Sequence, residues 1–324
     1  MAIVRGLLLI FVASSLIIVP VAQATDCQLK QYASLDLAVL RNGFLVVPVT
    51  IQGSPVAMIL NTANPFSSVT ETAAGSLALQ LKSLPSGAKV RSGMRQIDKL
   101  AIAKELSIGG VRFKSAEFMV IPNDTFDPHQ GTVPLVGILG MDVLGHFDVE
   151  LDASNRKMNL FSQDHCPGHT VYWSNSYDSV PIRLGKLGEL YFPMELDGKK
   201  IETTLATGNQ TTSLSTDVTR KLYNFDSHSP DIENETDAGG RRTASYRAMK
   251  LSGEGIQIIN THILLIDRPP NDFCSLGSRS GAAAYEGCLG AHPLQLGLNV
   301  LTKLHLYIAT KEKVLYFTPA EAPK

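Results

Sequence analysis

Met58-Ile-Leu-Asn-Thr-Ala-Asn64 and Thr204-Leu-Ala-Thr-Gly-Asn209 decide how this chain is read. Each is an apolar or β-branched run that ends on a Thr flanked by small residues. The first is followed by Ser67-Ser-Val69 and the second by Thr212-Ser-Leu214, and a helix-like stretch follows each. A second pair of segments lies downstream. Ile138-Leu-Gly-Met-Asp-Val-Leu144, Phe147-Asp-Val-Glu-Leu151 and Met158-Asn-Leu-Phe161 come in that order. Their echo is Leu296-Gly-Leu-Asn-Val-Leu301, Leu304-His-Leu-Tyr-Ile308 and Val314-Leu-Tyr-Phe317. Asn61 precedes Gly140 by 79 residues, and Ala206 precedes Gly297 by 91. Order is kept while loop length changes, which points to one lobe of about 140–160 residues written twice.

Around these anchors the chain is rich in short β-branched runs broken by Gly, Pro, Asn and Asp. Phe44-Leu-Val-Val-Pro-Val-Thr-Ile51, Ala116-Glu-Phe-Met-Val-Ile121, Ile256-Gln-Ile-Ile259 and His262-Ile-Leu-Leu-Ile266 read as strands. Short helices are expected over 69–79 and 215–222, each with a Ser or Thr where an N-cap belongs. The fold class is mostly β.

The 324 residues carry a formal net charge of −1, which excludes nucleic-acid binding by bulk charge. The apolar fraction of 44% excludes wholesale disorder. Residues 1–24 read as an export signal, with Arg5 as the basic start, an apolar stretch over 7–19, and Ala22-Gln23-Ala24 as the cleavage pattern. No second long apolar run follows, so a periplasmic or secreted protein without a membrane span is expected, as a monomer. Export favours disulfides among Cys27, Cys166, Cys274 and Cys288. Cys274 and Cys288 flank a Ser/Gly/Ala-rich loop, which suits a local bridge and leaves Cys27 with Cys166; four free thiols are the alternative.

The repeated elements resemble those of the bilobal aspartic peptidases, the pepsin- and retropepsin-like group, and most of all exported bacterial members. Ile138-Leu139-Gly140 and Leu296-Gly297 are similar to that family's late apolar-apolar-Gly element. The resemblance implies a two-lobed pepsin-like fold, with residues 25–165 as the N-terminal lobe and 166–324 as the C-terminal lobe. It further implies a cleft whose floor holds one Asp-Thr-Gly triplet per lobe. In that chemistry two close carboxylates share a proton; one deprotonates a water and the other polarises the scissile carbonyl.

Here the triplets are Asn61-Thr62-Ala63 and Ala206-Thr207-Gly208. An amide cannot serve as a general base near neutral pH, and an alanine cannot hold a proton. No catalytic residue is expected, and Asn61 and Ala206 are degenerate dyad positions. The expected function is therefore a pseudo-peptidase that binds a peptide or protein in the cleft. The alternatives are an active endopeptidase with non-standard residues, or a structural partner protein with a vestigial cleft. Residues 84–106, where pepsin-like relatives place a flap Tyr, hold no aromatic residue.

Other signals are weaker. Asp148 and Asp152 read as turn or surface residues, and Asp142 as a local hydrogen-bonding acid. His165, Cys166 and His169 cluster, but they read as a bridged Cys between two exposed loop histidines, so no metal is expected. No cofactor motif is present. Arg241-Arg242 reads as solvated surface, and Gly277-Ser-Arg-Ser-Gly281 as a flexible loop. Asn123, Asn209 and Asn234 begin glycosylation sequons in form.

Overall fold

The computed structural model describes residues 28–84, 90–92, 95–129, 133–185, 187–225, 229–236, 242–266 and 294–321. The proposed signal, three of the four cysteines (Cys27, Cys274 and Cys288), Arg241 and the 277–281 loop lie outside the described residues.

The sheet of each lobe is built on a tight hairpin. Strands Leu45–Ile51 and Ser54–Leu60 are joined through Gln52 and Gly53, both at positive φ. Strands Leu190–Leu196 and Lys199–Leu205 are joined through Asp197 and Gly198, again both at positive φ. Two consecutive left-handed residues match the right-handed twist of the flanking strands, and a glycine in the second place relieves the Cβ clash. A proline sits mid-strand at the same place in both hairpins, Pro48 and Pro193. In the first lobe the far edge of the Pro48 strand is paired only at Leu45–Val46 and Val49–Ile51. Pro48 falls in the gap, where a missing N–H costs no ladder bond.

The two halves then repeat one crossing pattern. In the first, Ser54–Leu60 runs parallel to Leu135–Leu139, which runs antiparallel to Ser68–Thr70, which runs parallel to Ala116–Ile121. In the second, Lys199–Leu205 runs parallel to Leu294–Leu296, which runs antiparallel to Ser213–Ser215, which runs parallel to Ile256–Ile266. The late strand thus threads between the two arms of the early loop. Among the described residues the lobe sheets have ten and eight strands.

A third, six-stranded sheet joins the lobes. Its centre is two hairpins, Asp148–Asp152 with Lys157–Phe161 and Leu304–Ala309 with Val314–Pro319, facing each other antiparallel. Gln31–Asp36 and Asp178–Pro181 flank it. Glu150 lies opposite Tyr307. By the sequence repeat these two are also each other's counterparts, so the pseudo-twofold axis passes between them. The main apolar core runs through both lobes and one face of this sheet, from Val47 and Met58 to Leu296 and Leu306.

Three local expectations are revised. The helix expected over 69–79 is a strand, Ser68–Thr70, followed by a shorter helix, Glu71–Ser76. Thr70 caps it by accepting from the Ala73 N–H at 3.2 Å, and β-branched Val69 is held by its strand partners instead. The runs at 256–259 and 262–266 form one continuous strand, Ile256–Ile266, in which Asn260 takes positive φ without breaking the pairing. The second helix, Thr216–Tyr223, follows Ser215, but the Ser215 side chain makes no cap bond.

Candidate functional site

The two crossing loops, 61–67 and 206–212, meet where the lobes meet. Their backbones are held alike. Asn61 N–H donates to Leu139 O at 3.0 Å, and Ala206 N–H donates to Leu296 O at 2.9 Å. The late helices Met141–Leu144 and Leu298–Leu301 each start under a loop: Met141 N–H reaches Asn64 O and Leu298 N–H reaches Asn209 O, both at 2.8 Å. Gly140 and Gly297 precede those helices. A Cβ on either would lie 2.7 or 2.4 Å from loop backbone, so only glycine lets helix and loop approach this closely.

The threonines cross between lobes. Thr62 Oγ1 donates to Leu205 O and Thr207 Oγ1 donates to Leu60 O, each at 2.8 Å. Thr62 N–H donates to Thr207 Oγ1 at 3.0 Å, and Thr207 N–H to Thr62 Oγ1 at 3.4 Å. Both threonines are buried. Thr62 and Thr207 are therefore structural: each uses its hydroxyl to satisfy a buried carbonyl of the other lobe.

Asn61 is half-buried. Its Oδ1 accepts the Ala63 N–H at 3.1 Å, and its amide lies against Gly208, where an added Cβ would stand 2.3 Å from Nδ2. Ala206 is fully buried. The structure thus brings together Asn61, Thr62, Ala63, Thr207 and Gly208, with Ala206 beneath them. Neither loop carries a carboxylate, a histidine or a cation. The arrangement can donate and accept hydrogen bonds through one amide; on its own side chains it has no group to take up a proton.

Behind the first loop stands Asp142. Both its oxygens accept the Ser67 N–H at 2.9 Å, and Oδ1 also accepts the Ser67 hydroxyl at 2.6 Å. Burial raises its pKa, against the pull of these bonds. Asn299 holds the corresponding place in the second lobe and accepts from Thr212 N–H and Oγ1 at 2.8 and 2.9 Å. An acid in one lobe and an amide in the other do the same task, so Asp142 braces the loop. Two sequon amides are likewise engaged. Asn123 Oδ1 accepts from Thr72 N–H at 2.8 Å, and Asn209 Nδ2 donates to Gln295 Oε1 at 2.7 Å.

The charged residues of the lobe junction lie elsewhere, on the polar face of the six-stranded sheet. Asp148 and Asp152, expected at turns or on the surface, are buried with Glu150. His165, expected as an exposed loop residue, has a 2% exposed side chain and pairs with Asp148 at 2.5 Å. The reason is the segment 165–177, which crosses that face and covers it. Tyr172 donates to Glu150 at 2.5 Å, and His305 meets the other Glu150 oxygen at 2.8 Å. Trp173 stacks on His305 with ring centroids 4.0 Å apart. Burial raises the Asp148 pKa, opposed by His165 and the Thr310 N–H. The Asp152 pKa is lowered: burial acts to raise it, but bonds from Asn155 and Ser154 outweigh that. His169 is exposed, as expected. Sequence reasoning missed Glu150 and His305. Their place in alternating runs, between Val149 and Leu151 and between Leu304 and Leu306, marked a shared strand face.

Residues 47–143 match the family of aspartyl proteases. The match spans the first crossing loop, ends inside the late helix, and lies wholly within the first lobe. No curated protein matches the chain. Among solved structures, conglutin gamma, a basic 7S globulin from lupine seeds, aligns over 91% of this chain and 96% of its own, at 12% identity and a TM-score of 0.47. The basic 7S globulin from soybean aligns over the same shares at 9% identity and a TM-score of 0.47. The two-lobed pepsin-like architecture is carried by the duplicated crossing pattern and its cross-lobe threonines. The aspartyl-protease-like first lobe has its repeat in the second, down to individual hydrogen bonds.

Proposed function

We propose that this chain is an aspartic-peptidase-like protein without peptidase turnover, which binds an extended peptide or protein segment between its lobes. One observation carries the reading. The Thr62–Thr207 brace is complete, yet the two positions it presents are an amide folded over Gly208 and a buried methyl group. Proton transfer by positioned groups contributes typically ~10²–10⁴-fold to catalysis, and neither loop supplies it. Strand-like recognition of a peptide uses backbone hydrogen bonds and needs no carboxylate.

Export to the periplasm or outside the cell belongs to the same proposal. So does a disulfide at Cys166, which an oxidising compartment favours. Ser162 N–H donates to Lys30 O at 2.9 Å, which sets the start of the described chain beside the segment leading to Cys166 and supports Cys27 as the partner. A peptide map under non-reducing conditions should contain a Cys27–Cys166 cross-link.

The functional test is incubation with a mixed peptide library from pH 3 to pH 8. Retention of peptides without cleavage is expected throughout. Cleavage abolished by Asn61→Ala would instead establish an active enzyme with non-standard residues. The triple change Asn61→Asp, Ala63→Gly, Ala206→Asp should produce acid-pH cleavage. If that variant neither cuts nor retains peptide while staying folded, the space between the lobes is vestigial and the proposal fails.

A further inference from the structure

A lateral cavity of about 580 Å³ lies where the first lobe, the second lobe and the six-stranded sheet come together. That volume is within the range of small-molecule sites, ~300–1,000 Å³, and lobe junctions are where such sites concentrate. Its floor is aliphatic. Leu45 and Leu298 are buried, and Val39, 45% exposed, stands at the opening. Arg156, Lys303 and Glu321 also line it, all three exposed.

The polar groups at this cavity divide into used and unused. The Ser154 hydroxyl donates to Asp152 at 2.8 Å, and the Thr302 hydroxyl to Leu298 O at 2.7 Å. Among the described residues, the side chains of Arg156 and Lys303 have no hydrogen bond or ion pair. Both are nevertheless mounted on fixed backbone. Arg156 has φ +56° and its carbonyl accepts Leu37 N–H at 2.8 Å; Lys303 accepts Ala320 N–H at 2.8 Å. Two cations against one carboxylate leave the lining net positive.

We infer that this cavity is a binding site for an aliphatic monocarboxylate, with the tail on Leu45 and Leu298 and the head between Arg156 and Lys303. An aliphatic floor gains by burying alkyl surface. The unpaired guanidinium and ammonium gain by charge-assisted bonds to a carboxylate. A cationic amphiphile would be repelled by the same pair, and an alcohol would leave both cations unanswered. The site is separate from the crossing loops and needs no peptide between the lobes. Its wall is not independent of them, because Leu298 N–H is bonded to Asn209 O of the second loop.

Titration calorimetry of the full chain with decanoate, decan-1-ol and decyltrimethylammonium tests this. Saturable binding of decanoate at one site is expected, at least about tenfold tighter than decan-1-ol, with no binding of the cation. The double variant Arg156→Gln, Lys303→Gln should lose about tenfold in decanoate affinity without a change in melting temperature, since both side chains are exposed. Val39→Trp, a change at the open mouth, should block the tail and abolish binding. Absence of decanoate binding overturns the inference. So does equal binding of decan-1-ol, or decanoate affinity untouched by either variant.

Discussion

Two of the places where the lobes meet differ in kind. At the crossing loops they meet through neutral groups, namely two threonine hydroxyls, two backbone N–H groups, two carbonyls and one amide. On the polar face of the six-stranded sheet they meet through buried acids, Asp148 accepting the Thr310 N–H and Glu150 pairing with His305, while His165 pairs with Asp148 from within the first lobe. A hydrolytic site of this architecture would keep its charges at the first place. This protein keeps its buried charges at the second, where each carboxylate is fully bonded and serves to hold segment 165–177 and both halves of the sheet. Buried charge tells of function only when a reacting atom can reach it, and here Trp173 and Tyr172 stand in the way.

The contrast breaks first if the sheet charges are dispensable. Glu150→Leu leaves His305, Tyr172 and Asn159 without their common acceptor, and removing one partner of a buried pair costs about 3–5 kcal/mol. Urea denaturation of this variant should show the largest loss of the set. If it is as stable as the parent, the sheet face is not holding the lobes.

The neutral brace should come next. Thr62→Val and Thr207→Val each strand a buried carbonyl of the opposite lobe, at about 1–3 kcal/mol apiece. Because each hydroxyl accepts the other threonine's N–H and the two lie 3.5 Å apart, the double variant should lose less than the sum. Strict additivity in the same denaturation series would show that the crossed bonds are not one unit.

A smaller effect tests the loops against each other. Gly208→Ala places a methyl on the Asn61 amide, whereas Ala63 already carries one at the matching position. A cost of about 1 kcal/mol is expected, because only a side chain must move. Asn61→Ala should erase that cost in a double-mutant cycle. A cost that survives Asn61→Ala would mean the clash lies with something else.

The smallest change is Asp142→Asn, which gives the first lobe the residue the second already uses. In a folded protein that raises the pKa of Asp142 above 3.8, this group's contribution is fully present below pH 3.8 and is lost as pH rises through the folded pKa. Asn does not titrate. The melting temperature of the variant relative to the parent should therefore climb between pH 3.8 and neutrality. A gap that shrinks with rising pH would refute the sign.

Much of this was legible in the chain as written. The paired segments around Asn61 and Ala206, and around Gly140 and Gly297, gave the repeat, and strand composition gave the class. The hairpin turns Gln52-Gly53 and Asp197-Gly198 were an unread part of the same signal. Asp148 and Asp152 were misread for an identifiable reason. In Asp148-Val-Glu-Leu-Asp152 the polar residues alternate with apolar ones, and alternation shows which side chains share a face. It cannot show whether that face is wet. Only the path of residues 165–177 across it settles the matter, because covering a sheet is a long-range event between segments that local pattern does not encode.

By itself, then, the sequence determined a duplicated β lobe and the absence of carboxylates from both crossing loops. Those follow from residue identity and order. The tertiary structure alone decided that Asn61 closes over Gly208, that the threonines trade carbonyls between lobes, and that the buried charges belong to the sheet. The first two depend on distances between residues more than 100 positions apart, such as the 145 between Thr62 and Thr207, and the third on the path of residues 165–177 together with Glu150 meeting His305, 155 positions away. Such distances exist only once both lobes have packed.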